Sequence, residues 1–355
     1  MSTKKTLCKR VFFFLLFCLS VTVLPETVRA QSTDMSAQST AANAKDDTTA
    51  SFPSLPIDLT SFGCATDGEW VYLYGGHSGK IHSHSQELLG HKLYRIKLDG
   101  SQSEWEVIGK DLSLQGLTLE YHDHSLYRIG GMHAKNKTTA EEEVLLSQKA
   151  FKRFDLKTHK WHDLTSLPEA RSTHGSTLYK NKIYVAAGWE LDGPSTNFHD
   201  TLLSFDLTQK DAKWEEVSVQ PFARRALSVV AFEDKIYVVG GLTETGNLST
   251  EVDIYDLKTN AWSKGPAIPV EGESGALNGF APGACVVGGS LYISAADGIL
   301  YRLDTAQNSW ERINQLKNAR FMHRLIPGLH EKSILALGGA SMEGQTDSVE
   351  SIPLK

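Results

Sequence analysis

The chain repeats one short pattern six times, and a repeat of this kind leaves few folds open. An apolar stretch, usually with a central Tyr, ends in two small residues. It reads Val71-Tyr72-Leu73-Tyr74-Gly75-Gly76, then Leu126-Tyr127-Arg128-Ile129-Gly130-Gly131, then Ile183-Tyr184-Val185-Ala186-Ala187-Gly188. It returns as Ile236-Tyr237-Val238-Val239-Gly240-Gly241, Leu291-Tyr292-Ile293-Ser294-Ala295-Ala296 and Ile334-Leu335-Ala336-Leu337-Gly338-Gly339. Units recurring roughly every fifty residues cannot each bury a core alone; they must stack on their neighbours.

A second landmark follows the first five copies: an apolar strand and then a Trp. Phe154-Asp155-Leu156 precedes Trp161, and Tyr255-Asp256-Leu257 precedes Trp262; Trp105, Trp214 and Trp310 complete the set. Five of the 7 tryptophans thus share one register. Each unit reads as four short strands, a to d, rich in β-branched and aromatic residues and separated by turns such as Lys180-Asn181-Lys182. In the third unit they are expected near 172–178, 183–188, 202–206 and 214–217. The small pair ends strand b because backbones crowd there and a Cβ would clash. The Trp lays a large apolar face on the adjoining unit.

With its glycine pairs, the Tyr of strand b and the Trp of strand d, the chain resembles the kelch family over roughly residues 50–355. The resemblance implies an all-β fold, a six-bladed β-propeller of four-stranded repeats. Ala187-Gly188 and Ala295-Ala296 depart from the glycine pair, and Ala is small enough to keep the packing. The blades are placed at about 57–110, 111–168, 169–221, 222–269, 270–315 and 316–355. The last has no Trp strand, so residues 48–54, with Phe52 as the apolar contact, are expected to supply its fourth strand and close the ring. An open edge there would invite aggregation.

Residues 1–30 read as a secretory signal peptide: Lys4, Lys5, Lys9 and Arg10, then the apolar run Val11 to Leu24, then Val28-Arg29-Ala30 before Gln31. The run is shorter than the roughly twenty residues that cross a bilayer. Residues 31–48 are Ser, Thr, Ala, Gln and Asp, a disordered linker. The propeller then spans 49–355, and the expected location is periplasmic or secreted. The formal net charge is −6, and losing the basic leader makes it more negative. Such a chain is not expected to bind nucleic acid. Cys8 and Cys18 leave with the signal. Cys64 and Cys285 fall in units that are not neighbours and are expected as two buried thiols.

Strands alternate in direction, so the d–a and b–c loops share one face. The d–a junctions there carry Arg171, Arg224, Arg225 and Arg320, with His174 and His323 three residues after Arg171 and Arg320. These six are the candidate ligand-binding set, placed at the mouth of the central channel, where guanidinium groups can take a carboxylate or phosphate bidentately. The competing reading has the arginines bonding neighbouring loop carbonyls. The first b–c loop holds His77, His82, His84 and His91, and the second holds His133 within the long insertion Met132 to Gln148. A His-x-His pair on a loop can hold a metal, but apart from Glu87 no Cys, Asp or Glu completes an obvious set, so no metal or cofactor is expected.

The expected function is a monomeric binding module that takes a protein, an acidic small ligand or a carbohydrate on this face. The alternative is a sugar-active enzyme. Length, leader and Gly279-Phe280-Ala281 are similar to the N-acetylneuraminate epimerases. That resemblance places a Glu after the small pair of a middle blade and an Arg soon after. Here Leu242 follows Gly240-Gly241, and no Arg occurs up to Val252. The galactose oxidase family also carries a kelch-type propeller, but its Cys–Tyr pair would need a Tyr nearer to Cys64 than Tyr121.

Overall fold

The computed structural model describes residues 52–354 apart from 273. The expected leader and linker, and residues 48–51 of the expected closing strand, lie outside that range. The described residues are built from strands and short 3-10 turns, with no α-helix among them. No helix there is long and apolar enough to cross a membrane.

The six copies become six antiparallel meanders. Five have four strands, and their members in the third unit are Gly175–Tyr179, Lys182–Ala186, Thr201–Asp206 and Glu215–Val219. These fall on the strands read from the sequence, within a few residues. The sixth meander has three strands, Arg324–Pro327, Ser333–Leu337 and Val349–Pro353. Its expected fourth partner is not seen: Phe52, Pro53 and Ser54 carry no strand pairing. Pro53 has no N–H to give a ladder. Phe52 nevertheless packs on the cluster that contains Ile326, Leu335 and Leu337.

The core is divided among the junctions. Each of the six apolar clusters joins two units, as in Tyr74, Leu93 and Leu117 with Leu126 and Phe154, or Tyr127 and Phe151 with Ile183, Phe205 and Trp214. One joins Leu55, Leu59, Phe62 and Val71 of the first unit to Leu335 and Leu337 of the last. The strand-d tryptophans serve these junctions as expected. Trp161 meets Tyr74 of the preceding unit edge-on at 5.5 Å, and Trp214 meets Phe151 at 5.1 Å. In two of them the indole N–H also reaches backward to a carbonyl, Trp214 to Thr165 and Trp310 to Pro266. The Asp before each Trp strand folds the c–d turn: Asp155 accepts the N–H groups of Lys157 and Thr158, and Asp256 those of Lys258 and Thr259.

Main-chain bonds fix the order of the units around the d–a loops. The N–H of Gly76, Gly131, Gly188 and Gly241 each donates to a d–a carbonyl of the next unit: Leu114, Arg171, Arg224 and Gly279. Gly339 donates to Leu59 at 2.8 Å, linking the last unit to the first. This is the reason for the glycines. Gly131 has φ +105°, and a Cβ on Gly130 would lie 2.3 Å from the Arg171 carbonyl oxygen. Ala187 accepts the left-handed conformation at φ 58°, but Ala295 and Ala296 do not adopt it. The fifth unit therefore departs from the repeat instead of preserving it. A tight turn at Gly298 joins its strands b and c, and Asp297 is held by Asn278 and Tyr301.

Inside these bonds lies a collar of d–a loop tips. Ser61, Gly116, Thr173, Ala226, Ala281 and Met322 all have positive φ. Each after Ser61 donates its N–H to its predecessor, Gly116 to Ser61, Thr173 to Gly116, Ala226 to Thr173, Ala281 to Ala226 and Met322 to Ala281, over 2.7–3.0 Å. Among the described residues no bond from Ser61 to Met322 completes it.

Replacing Trp214 with Ala should cost about 3–5 kcal/mol of stability, because a large ring at a junction leaves a cavity that its neighbours cannot fill. Urea unfolding followed by circular dichroism measures it; a loss below about 1 kcal/mol would refute the junction role.

Candidate functional site

The face formed by the d–a and b–c loops holds the six residues singled out from the sequence, and the structure gives them unlike roles. Arg171 is buried, and its guanidinium donates to the Ala187 and Thr201 carbonyls and to Thr201 Oγ1. Arg320, also buried, donates to the Gly338 and Ser348 carbonyls and pairs with Glu350 at 2.7 Å. Arg224 donates to the Glu251 carbonyl and to Ser249 Oγ, and forms a buried ion pair with Asp253, which also binds Lys264. All three act as staples across the base of their own unit's b–c loop. They reach loop carbonyls, and the competing sequence reading describes them.

The two histidines lie beneath the loops. His174 Nε2 meets Thr118 Oγ1 at 3.2 Å, and His323 is fully buried with neither ring nitrogen bonded. Burial, reinforced by nearby arginines, lowers both to about 3, so both are neutral at ordinary pH. Arg225 differs from the other arginines. It is half-buried, stacks over the Trp189 ring at 4.0 Å, and makes no guanidinium hydrogen bond among the described residues. Burial lowers it to about 10, which leaves it charged, with no carboxylate beside it among the described residues.

Two of the first unit's loop histidines hold its b–c loop in place. His77 is buried; its Nε2 faces the Ser83 carbonyl and its Nδ1 faces the Gln345 amide, which fixes the Nε2–H tautomer. His84 Nδ1 lies 3.0 Å from Glu143 of the second unit's insertion. Among the described residues no cluster of three or more His, Cys, Asp or Glu could hold a metal ion. Leu242, where the epimerase resemblance would place an acid, is buried and pairs with Arg225 through the backbone. Cys285 is buried, but Cys64 is only half-buried, and both thiols are free. Cys64 packs beside the seam of the first and last units, and burial pushes it up to about 12.

Two features were not read from the sequence. The b–c segments of units 2 and 3 merge into an accessory sheet: Met132–Ala134, Leu145–Ser147, Trp189–Asp192 and Ser195–Phe198. Glu120 sits between strands a of units 2 and 3, accepting from the Ser176 hydroxyl and the Leu178 N–H, and burial raises it to about 7. On the opposite face a groove of 610 Å³ between units 3 and 4 is lined by mixed charges, among them the pairs Lys258 with Asp234 and Lys182 with Asp206.

Successive four-stranded meanders packed through their faces and ordered by these bonds define a β-propeller. A family model described as the KLHDC2/KLHL20/DRC7 kelch-repeats domain matches residues 116–339, and the chain belongs to the kelch-repeat family. It is 28% identical to Kelch-like protein 40 of Xenopus tropicalis over 56% of this chain and 29% of that protein. It is 25% identical to alpha-scruin of Limulus polyphemus over 61% of this chain and 24% of that protein. The chain thus spans less than a third of these curated relatives. The solved structure of YjhT is similar with a TM-score of 0.68, over 86% of this chain and 97% of that one, at 17% identity, a likeness of fold.

Glu120 makes the fold pH-sensitive. Its carboxyl holds a proton in the folded chain up to about pH 7 but releases it near 4.5 when unfolded. Stability should therefore fall as pH rises from about 4.5 to about 7 and stay level above. Glu120→Gln keeps the acceptor and should remove that slope, gaining about 3 kcal/mol at pH 8 and nothing at pH 4. Urea midpoints of both proteins across this range check it.

Proposed function

We propose that this chain is an exported kelch propeller of six blades closed into a ring, and that it is a binding module using the d–a and b–c face for an acidic partner. One observation carries the choice of face. Of the large apolar side chains exposed among the described residues, Ile57, Ile81, Leu112, Val270 and Met342 all lie in d–a or b–c loops, and Val219 ends the strand that leads into one. Only Val107 lies elsewhere. Exposed apolar surface gathered on one face marks an interaction site more than scattered exposure does. The unpaired charge of Arg225 on the same face favours a carboxylate.

Closure is supported by the apolar cluster between the last and first units and by the bonds of Gly339 to Leu59 and Leu55 to Asp347. Deleting residues 31–56 should then lower the melting temperature clearly, and an unchanged melting temperature would sink closure. For the binding face, a photo-crosslinking residue placed at Met342 or Ile81 should give discrete adducts in the exporting cell. The same residue at Lys180 or Asn260, in turns of the other face, should give none. Adducts from both faces, or from the other face alone, would overturn the assignment.

A further inference from the structure

The binding face is not symmetric. Over units 1–3 it carries a canopy. The b–c segment of unit 1 is tied to the insertion of unit 2 by Gln86 N–H to the Asn136 carbonyl, by Asn136 Nδ2 to the His84 carbonyl and by the His84–Glu143 contact. The accessory sheet continues it across unit 3. The b–c connection of unit 5 is only residues 295–298, and those of units 4 and 6 are 240–251 and 338–348.

The residue just before each collar tip reports the difference. In units 1–3 these residues are Thr60, Gln115 and Ser172, all buried beneath the canopy. In units 4–6 they are Arg225, Phe280 and Phe321, all partly exposed. Phe280 and Phe321 lie 5.5 Å apart, ring to ring. Arg225 stands at the canopy's edge, against Trp189, which Phe198 meets edge-on at 5.7 Å. Met342 is 85% exposed and Val270 58%, both in loops of the open sector. The sequence therefore sets three consecutive loop tips as one cation followed by two aromatic rings, walled on one side by Trp189.

We propose that this open sector receives an extended protein segment in which a carboxylate lies within a few residues of a bulky apolar side chain, the carboxylate on Arg225 and the apolar group on Phe280 and Phe321. The inference rests on the binding-module reading and names its partner. The stacked guanidinium presents a planar fork, held in place by the indole and without an acceptor among the described residues. The rings and the exposed Met342 and Val270 offer apolar area. Saccharide hydroxyls need polar partners to fix them, and the sector's floor of Phe280, Phe321 and Met322 supplies no side-chain donor. A peptide meets both halves of the surface at once.

The test pans a displayed library of random ten-residue peptides against the chain from residue 31 onward. Selected sequences should pair Asp or Glu with Phe, Leu, Ile or Met. Arg225→Gln should weaken a selected peptide about tenfold or more, and Arg225→Lys, which keeps the charge without the fork, should weaken it less. Phe280→Ala with Phe321→Ala should remove the apolar preference and leave the acidic one. Melting temperatures confirm that each variant is folded; should Arg225→Gln melt early, Arg225→Lys carries the comparison. Peptides that bind equally to all variants, yet are lost when residues 137–143 of the canopy are shortened, would overturn this inference and leave the binding-module reading standing. A face that binds saccharides on a glycan array but no peptide would overturn the inference as well. No binding of either kind, together with no adducts from the face, would remove both readings.

Discussion

One hydrogen bond organises this protein: the N–H of the second small residue after strand b, given to a d–a carbonyl of the next unit. It forms only if the chain turns sharply at that point, with φ near +100°, where a side chain is not tolerated. The same turn sends the b–c segment outward and brings the d–a tip of the next unit close. The collar of left-handed tips follows, since each tip can reach only its predecessor. Apolar contacts supply the stability at the junctions, but this bond sets which surfaces meet. The fifth unit shows what happens without it. Ala295 and Ala296 stay in ordinary backbone, strands b and c are joined by residues 295–298 alone, and Gly298 gives its N–H to the Ala295 carbonyl within that turn, packed at the Ala319 backbone.

Variation in loop length is thereby confined to one face. The a–b and c–d turns are short, the latter folded by an Asp that accepts one or two main-chain N–H groups. The b–c segments are free to differ, because both their ends are fixed by the turn and, in three units, by an arginine staple. Units 1–3 use that freedom to build a canopy, and units 4–6 do not. An asymmetric surface then arises on a repetitive frame without disturbing any junction.

The sequence made the frame legible because its landmarks are local and periodic. A Tyr in strand b, a Trp in strand d and a pair of small residues each have one task that recurs in every unit. The closing strand was less legible: Phe52 takes its expected contact, but Pro53 interrupts the ladder that the contact suggested. The surface was hardly legible at all. The accessory sheet joins segments of two units through a single pair, Asp192 with Leu146, which no local pattern announces. Glu120 looks like any polar residue of an alternating strand until the neighbouring strand a is set beside it. Trp189 offered one available signal. It is one of the two tryptophans outside the shared register, and a large ring with no repeated task is a reason to ask what it meets.

Arg224 and Arg225 show why the candidate set could not be sorted by residue type. They are adjacent in one short strand paired with Leu242–Thr243, so their side chains leave on opposite sides. Arg224 turns inward, where the unit's own b–c carbonyls and Asp253 wait, as they do for its counterparts Arg171 and Arg320. Arg225 turns toward the canopy and finds an indole face but no acceptor. Register, not chemistry, separates a staple from a free cation. In units 3 and 6 the position after the staple is Ser172, buried with its hydroxyl against Ser147 and the Trp189 carbonyl, or Phe321, which has no polar group, so among the described residues the position after a staple carries a guanidinium only in unit 4. An anionic partner would therefore be bound off the pseudo-symmetry axis, at the step between canopy and open sector.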